Sequence, residues 1–430
     1  MADLLEGRRI PPAGAAAAPA PAATDEVALR IDGREYLGWT ALRISRRLRA
    51  MASDFTVSLS ERWLGQDVPR AVAPFTPCTL HIAGELVLTG YVDTADIGYD
   101  GRSHNVVIEG RSRTEDIIDC TPDLPGGQFT GYRLDQIARA VAGPFGVEVV
   151  VDADVGDAFP DATIQRHETG FAFLERLARL RAVLLTDDER GRLVLTKAGT
   201  QRARDALRQG LNILAARARL SGAQRFSEYR VKVQSGVAIN PFFRTIAGPE
   251  PTPPDPAQRV EQQREAAAAY AAGADVVQTQ ATTQTRGIAY DQGVPRYRPH
   301  TVIAESALDA AGAQRRAVWQ AKFRAAQGTQ LQVTVQGWRQ SSTAEARGEL
   351  WRVNRMVPVR SEWARIDQEM LIAGVTYELG PAGRLTRLEL GPKDGYEPDP
   401  GSVRVRRTAG RGGNPWAGVV SLRPPDPQAQ

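Results

Sequence analysis

Histidine and cysteine are nearly missing from this sequence, with four of the first and two of the second among 430 residues. Two cysteines, Cys78 and Cys120, cannot build a disulfide framework, and four histidines leave little for a metal centre. Both thiols are expected to lie at strand edges, reduced and without a catalytic part. No run approaches the ~18 uninterrupted apolar residues that a membrane span needs. The start, "MADLLEGRRIPPAGAAAAPAPAATDE", lacks the basic, apolar and small-residue order of a signal peptide. Residues 1–26 are therefore expected to be a flexible Ala/Pro-rich extension of a chain that stays in the cytosol after synthesis. Strong charge of one sign is missing too, since the net value is only +4. A nucleic-acid binder concentrates its charge on one helix or stripe. Here Arg43, Arg46, Arg47 and Arg49 form one cluster, and Arg404, Arg406, Arg407 and Arg411 lie in a Gly-rich tail. They read as solvated surface and a disordered tail, so nucleic acid is not expected as a partner.

Motifs that could carry chemistry fail on spacing. "DADVGD" at 152–157 departs from the calcium-loop pattern and has no glutamate at the twelfth position. Asp187, Asp188 and Glu189 fall at a hairpin tip, where acids suit tight turns, and are expected to be solvated. His167 has no nucleophile elbow to serve. "GRGGN" in the tail lacks the strand and helix that a phosphate loop requires. No catalytic, cofactor-binding or metal-ligating residue is assigned, no cofactor is expected, and the chain reads as a non-enzyme. A pair of carboxylates, all that a glycosidase needs, stays open.

What is present is period-two alternation. Val27, Leu29 and Ile31 alternate with polar residues before an Asp32-Gly33 turn, and Phe55, Val57 and Leu59 alternate again. Leu80 and Ile82 lead through Ala83-Gly84 into "ELVLTGYVD", and "HNVVIEGR" closes the series. These short strands indicate a small barrel or sandwich. Glu85, Asp93, Asp96, Glu109 and Glu115 are assigned to its exposed face, or to the connection "DTADIGYDGRSH" between two strands.

The period then changes. Leu134, Ile137, Ala138 and Val141 share one helical face, and Gly143-Pro144 ends it, with glycine as the left-handed cap. Val147, Val149 and Val151 follow as a strand. A helix from about Thr169 buries Phe173, Leu174, Leu177 and Leu180, and two strands follow around an Asp/Gly turn. Residues 121–200 thus read as a compact α+β domain. Beyond 201 the pattern is less clear. "SEYRVKVQS" is a strand, 237–300 is an irregular excursion with one helix, and Ser306 with Asp309 opens a helix to about Gln327. Its alanines at 310, 313, 317, 321 and 325 form a small-residue stripe that permits close packing. Strands resume to about 392, after which the chain has nothing to bury.

The order of "RIDGREYLGWTALRISRRLRAMASDFTVSLSE", "GELVLTGYVD", "IEGRSRTEDIIDC", "LDQIARAVAGPFGV", "FAFLERLARLRAVLLTDDERGRLVLTKAG", "FSEYRVK" and "RYRPHTVIAES" resembles the baseplate hub (tail protein P) family of Mu-like phages, related to the late control D and other contractile-tail hub proteins. The resemblance covers roughly residues 26–395. It implies an α+β, β-rich multidomain hub with two barrel-like β domains, at 27–120 and 201–395, around the α+β domain at 121–200; the basic tail at 396–430 lies beyond the match and is expected, from its composition, to be disordered. It also implies a homotrimer in the virion's tail baseplate, assembled in the host bacterial cytoplasm. That ring would connect the six-fold tail tube to the three-fold central spike, with other baseplate proteins as partners. The alternative is a hub-associated peptidoglycan-binding or cell-wall-degrading enzyme.

Overall fold

In a computed structural model of the chain, residues 8–9, 25–31, 33–61, 72–100, 104–124, 126–233, 286–304, 310–340 and 348–399 are described. Most of the Ala/Pro-rich start lies outside the described residues, as do most of the 237–300 excursion with its expected helix, the Ser306/Asp309 cap and the tail from residue 400.

The alternation over 27–112 forms seven strands, Val27–Ile31, Arg34–Tyr36, Ala41–Arg47, Asp54–Glu61, Pro77–Ile82, Glu85–Tyr99 and His104–Ser112. Ala83 and Gly84 both take positive φ in the turn between the fifth and sixth, as a two-residue hairpin loop requires. No barrel forms, however. Closure would need the first and last strands to pair, and Ala41–Arg47 uses its outer edge elsewhere. It pairs antiparallel with the far end of the chain, Leu42 opposite Leu379 through Arg47 opposite Gly374. The two expected barrel-like domains are instead joined in one open fifteen-stranded sheet. Strand Ile366–Gly380 makes the join. Its register shifts between Ile372 and Gly374. Its first part pairs with Arg355–Ser361, and its second part takes Ala41–Arg47 along the same edge. Gly383–Gly391, Thr329–Gln336 and Ala215–Leu220 continue the sheet on the other side. One core follows from one sheet, with Leu29, Ile44, Phe55 and Leu80 packed with Trp338, Trp351, Val357 and Leu388.

The middle unit has its own core. Helices Leu134–Ala142 and Gly170–Leu180 cover a three-stranded sheet of Val149–Val151, Leu193–Thr196 and Leu184–Asp187. Ile137, Val141, Phe173 and Leu174 meet Leu193 and Leu195 there, and Met51 reaches in from the main sheet. Thr169 caps the second helix, its Oγ1 accepting from the Ala172 amide at 3.2 Å. Leu180 is exposed rather than buried. Gly143 is not the left-handed cap. It is right-handed and opens a one-turn 3-10 helix that accommodates Pro144, and Gly146 supplies the positive φ of 65° three residues after Gly143.

Strand Glu228–Val233 does not join the main sheet. It forms a small sheet with Arg286–Tyr290 and Pro299–Ala304, backed by the helix Ala310–Gln327. Ala313, Ala317 and Ala321 face Tyr229, Val231 and Ala289, so the alanine stripe is a packing face. At Gly287 a Cβ would stand 2.1 Å from the Ala313 carbonyl oxygen. Gln314 holds the strand edge, its side-chain oxygen accepting from the Ile288 amide and its Nε2 donating to the Ile288 carbonyl. The chain after Pro392 also has something to bury. Lys393–Gly395 is a 3-10 turn, the Trp319 indole donates to the Glu397 carbonyl, and Arg316 pairs with Asp399 at 3.0 Å.

Candidate functional site

Leu42, Ile44 and Arg46 share one face of strand Ala41–Arg47, so the alternation that buries the two aliphatics also carries Arg46 inward. Its guanidinium lies where all three parts of the chain meet. Nη1 donates to Glu189 Oε1 at 2.9 Å, and Nη2 to the Asp187 carbonyl at 3.1 Å. Burial pulls its pKa down, but Glu189 and Asp187 outweigh that and hold it above the ordinary arginine value. The Asp187 carboxylate accepts from Ser53, from the amide at 3.0 Å and from the hydroxyl at 2.9 Å. Full burial raises its pKa against the pull of Arg46 and these hydrogen bonds.

From Glu189 the network runs outward as alternating charge. Arg352 reaches Glu189 at 2.5 Å and Glu85 at 2.8 Å, and Arg339 reaches Glu85 at 3.0 Å and Asp25 at 3.1 Å. Burial raises the pKa of Glu189, yet Arg46 and Arg352 bring it below the usual carboxylate range. The hairpin tip carrying Glu189 presses on strand Glu85–Tyr99. Thr89 Oγ1 donates to the Glu189 carbonyl at 2.9 Å, and a Cβ on Gly191 would lie 2.7 Å from the Thr89 carbonyl. Of the three acids expected to be solvated at this tip, Asp187 is buried and Glu189 is held in the junction. Asp188 alone plays a turn role, accepting from the amides of Arg190 and Arg192 at 3.0 Å.

The arginine cluster is likewise less solvated than its composition implies. Arg43 is exposed. Arg47 pairs loosely with Asp54 and Glu389. Arg49 donates to the Gly395 carbonyl at 2.7 Å and lies over the rings of Phe323 and Tyr396. Glu115, expected on the exposed face, is buried beside Asp93 and Arg111. Burial, and then the Asp93 charge, push its pKa up to about 8 against the opposing Arg111. Asp93 and Asp96 sit in a strand rather than a loop, because Glu85–Tyr99 runs unbroken. Cys78 is buried inside Pro77–Ile82, where desolvation raises its thiol to about 12. Cys120 is exposed and follows the short helix Glu115–Asp119 instead of lying at a strand edge. In 152–157, Asp154 accepts from the Gly156 amide at 2.9 Å and Asp152 from Thr196 Oγ1 at 3.2 Å, hydrogen bonds that belong to the fold. Among the described residues no group of three His, Cys, Asp or Glu could hold a metal ion, and no helix is long and apolar enough to cross a membrane.

Six charged side chains from the two β-rich halves and the middle unit thus form one network across the junction. The comparisons place the chain in the tail baseplate of phages. Residues 26–112 match the family described as Mu phage baseplate assembly protein GpP-like, N-terminal, and residues 114–197 match baseplate hub protein gp44-like, second domain. Residues 309–399 match the fourth domain of Mu phage baseplate assembly protein GpP. The baseplate hub protein gp44 of Escherichia phage Mu is 31% identical over 409 residues, covering 93% of this chain and 95% of that protein. The chain belongs to the gp44-like baseplate hub family of Mu-like phages.

Among solved structures, the 43 kDa tail protein of prophage MuSo2 from Shewanella oneidensis is 32% identical with a TM-score of 0.70, over 86% of this chain and 99% of that one. A tail protein from Neisseria meningitidis MC58 shares the fold at 21% identity and a TM-score of 0.65, over 88% of this chain and 99% of that one. The protein is a structural component of the virion's tail baseplate, and its partners are other tail and baseplate proteins.

Proposed function

We propose that three copies of the chain form a ring at the centre of the baseplate, joining the six-fold tail tube to a three-fold central spike. The observation that carries this reading is the join between Ala41–Arg47 and Gly374–Leu379. Each chain holds two β-rich halves in one rigid sheet, so three chains would present six such units around a three-fold axis. The tube would meet those six units, and the spike would meet the three chains. The division of the chain near residues 120 and 200 belongs to the same reading, supported by the separate core of the middle unit. No residue is assigned to catalysis, a cofactor or a metal. Light scattering on the purified chain at micromolar concentration should give three times the chain mass. A monomer throughout that range would overturn the ring.

A further inference from the structure

The two β-rich halves repeat one plan. In the first, Pro77–Ile82, Glu85–Tyr99, His104–Ser112, Asp54–Glu61 and Ala41–Arg47 lie side by side in that order, each antiparallel to the next. In the second, Arg355–Ser361, Ile366–Gly380, Gly383–Gly391, Thr329–Gln336 and Ala215–Leu220 do the same. The second, third and fourth strands match in length between the halves, at 15, 9 and 8 residues. Both 15-residue strands shift register near their middle, between Val92 and Thr94 and between Ile372 and Gly374.

The halves differ at one corner. In the first, the turn into the long strand is Ala83-Gly84, which has no large side chain. In the second, the same turn is residues 362–365 and carries Trp363, which is 91% exposed. The loop at 209–214 beside it turns Leu211 and Leu214 outward, at 75% and 58% exposure. Its counterpart ahead of Ala41–Arg47 buries Trp39 instead. Hydrogen bonds brace this corner. Gln209 Oε1 accepts from Ser361 Oγ at 2.8 Å and from the Trp363 amide at 3.2 Å, which ties the loop to the turn. Asn212 accepts from the Arg208 amide and donates to the Ala206 carbonyl, both at 2.8 Å. Tryptophan is enriched among the residues that carry binding energy, and a braced one is already ordered before a partner arrives.

Symmetry selects that partner. A six-fold tube meets equivalent surfaces on both halves, and this corner exists on only one of them. Three chains about a common axis present it three times. A three-fold partner engages every copy, whereas a six-fold partner finds it at alternate positions. We propose that the corner formed by Trp363, Leu211 and Leu214 docks into an apolar recess on the three-fold central spike. This inference rests on the ring proposed above and names the surface through which the ring holds the spike.

The test mixes the full chain with the spike protein of the same tail, and separately with its tube protein, and measures affinity and complex mass. Trp363→Ala should weaken spike binding tenfold or more, and Leu211→Ser should weaken it in the same direction. Trimer mass, Tm and tube binding should stay as in the unaltered chain. Unchanged spike affinity in both variants, or a loss confined to tube binding, would overturn the docking surface and leave the ring standing. So would an unaltered trimer that does not bind the spike. Loss of the trimer in folded variants would assign the corner to the contact between copies and overturn the inference. A chain that is monomeric both alone and with the spike would overturn the ring and the docking together.

Discussion

Arg46 holds a charge on a face whose other members, Leu42 and Ile44, are apolar, and the position is tolerable only because Glu189 and the Asp187 carbonyl meet it. Removing one partner of a buried pair leaves an uncompensated charge and costs about 3–5 kcal/mol. Arg46→Met should therefore destabilise the chain by about that much in urea unfolding, and adding Glu189→Gln should recover part of it. An effect below about 1 kcal/mol would mean that the network is ornamental, as exposed ion pairs often are. Glu115 offers a pH test. Its pKa in the fold is about 8, against an ordinary 4.5, so the folded chain keeps a proton that the unfolded chain releases. Its contribution to stability is full below about 4.5, shrinks as pH rises and is gone above about 8. The denaturant midpoint should fall between pH 5 and 9, and Glu115→Gln should flatten that fall. A decline of equal size in the variant would place the proton elsewhere. The cysteines separate by burial: Cys120→Ser should be neutral, while Cys78→Ser buries a hydroxyl and should cost about 1–3 kcal/mol, readable as a lower Tm.

At the scale of elements, the small sheet and helix Ala310–Gln327 depend on a missing side chain. Gly287→Val puts atoms where the Ala313 carbonyl stands, and overpacking of this kind costs about 1–3 kcal/mol. Amide exchange should quicken across Arg286–Tyr290 and Pro299–Ala304 while Ala41–Arg47 keeps its protection. The alanine spacing made that packing face legible in the sequence, as the period of 134–141 did for the first helix. Alternation likewise located most strands of the first half. Two segments were not legible, and for one reason. Asp93–Tyr99 reads as a loop and Ala215–Leu220 shows no pattern, because neither buries a face within the chain. Periodicity records burial, and a strand that packs no face on the core leaves little such record. The junction was hidden differently. The step from Leu42 and Ile44 to Arg46 was there to be seen, but nothing local tells that Glu189, 143 positions further on, arrives to meet it.

The whole molecule turns on where its two β-rich halves join. Two separate barrels would each have a core and an unfolding transition of their own. The chain instead has one core drawn from both halves and one hydrogen-bonded ladder through Ala41–Arg47 and Ile366–Gly380. Phe55 and Trp338, both fully buried, belong to the same packed cluster although they lie in opposite halves. Breaking the ladder at 374–379 exposes the edge of a seven-stranded half and opens the core that it shares. Local opening there should therefore cost nearly as much as unfolding both halves, since cooperative units follow shared burial. The middle unit, with its own core and a single Met51 inserted from outside, is free to open at lower cost. Native-state hydrogen exchange separates these possibilities. Amides of 41–47 and 374–379 should exchange at the same free energy as those of 55–57 and 388–390, and all of them above the amides of 134–142. If the amides of the first half exchange as a block at a lower free energy than those of the second, the halves fold independently. The join would then be a docking contact rather than the spine of the hub.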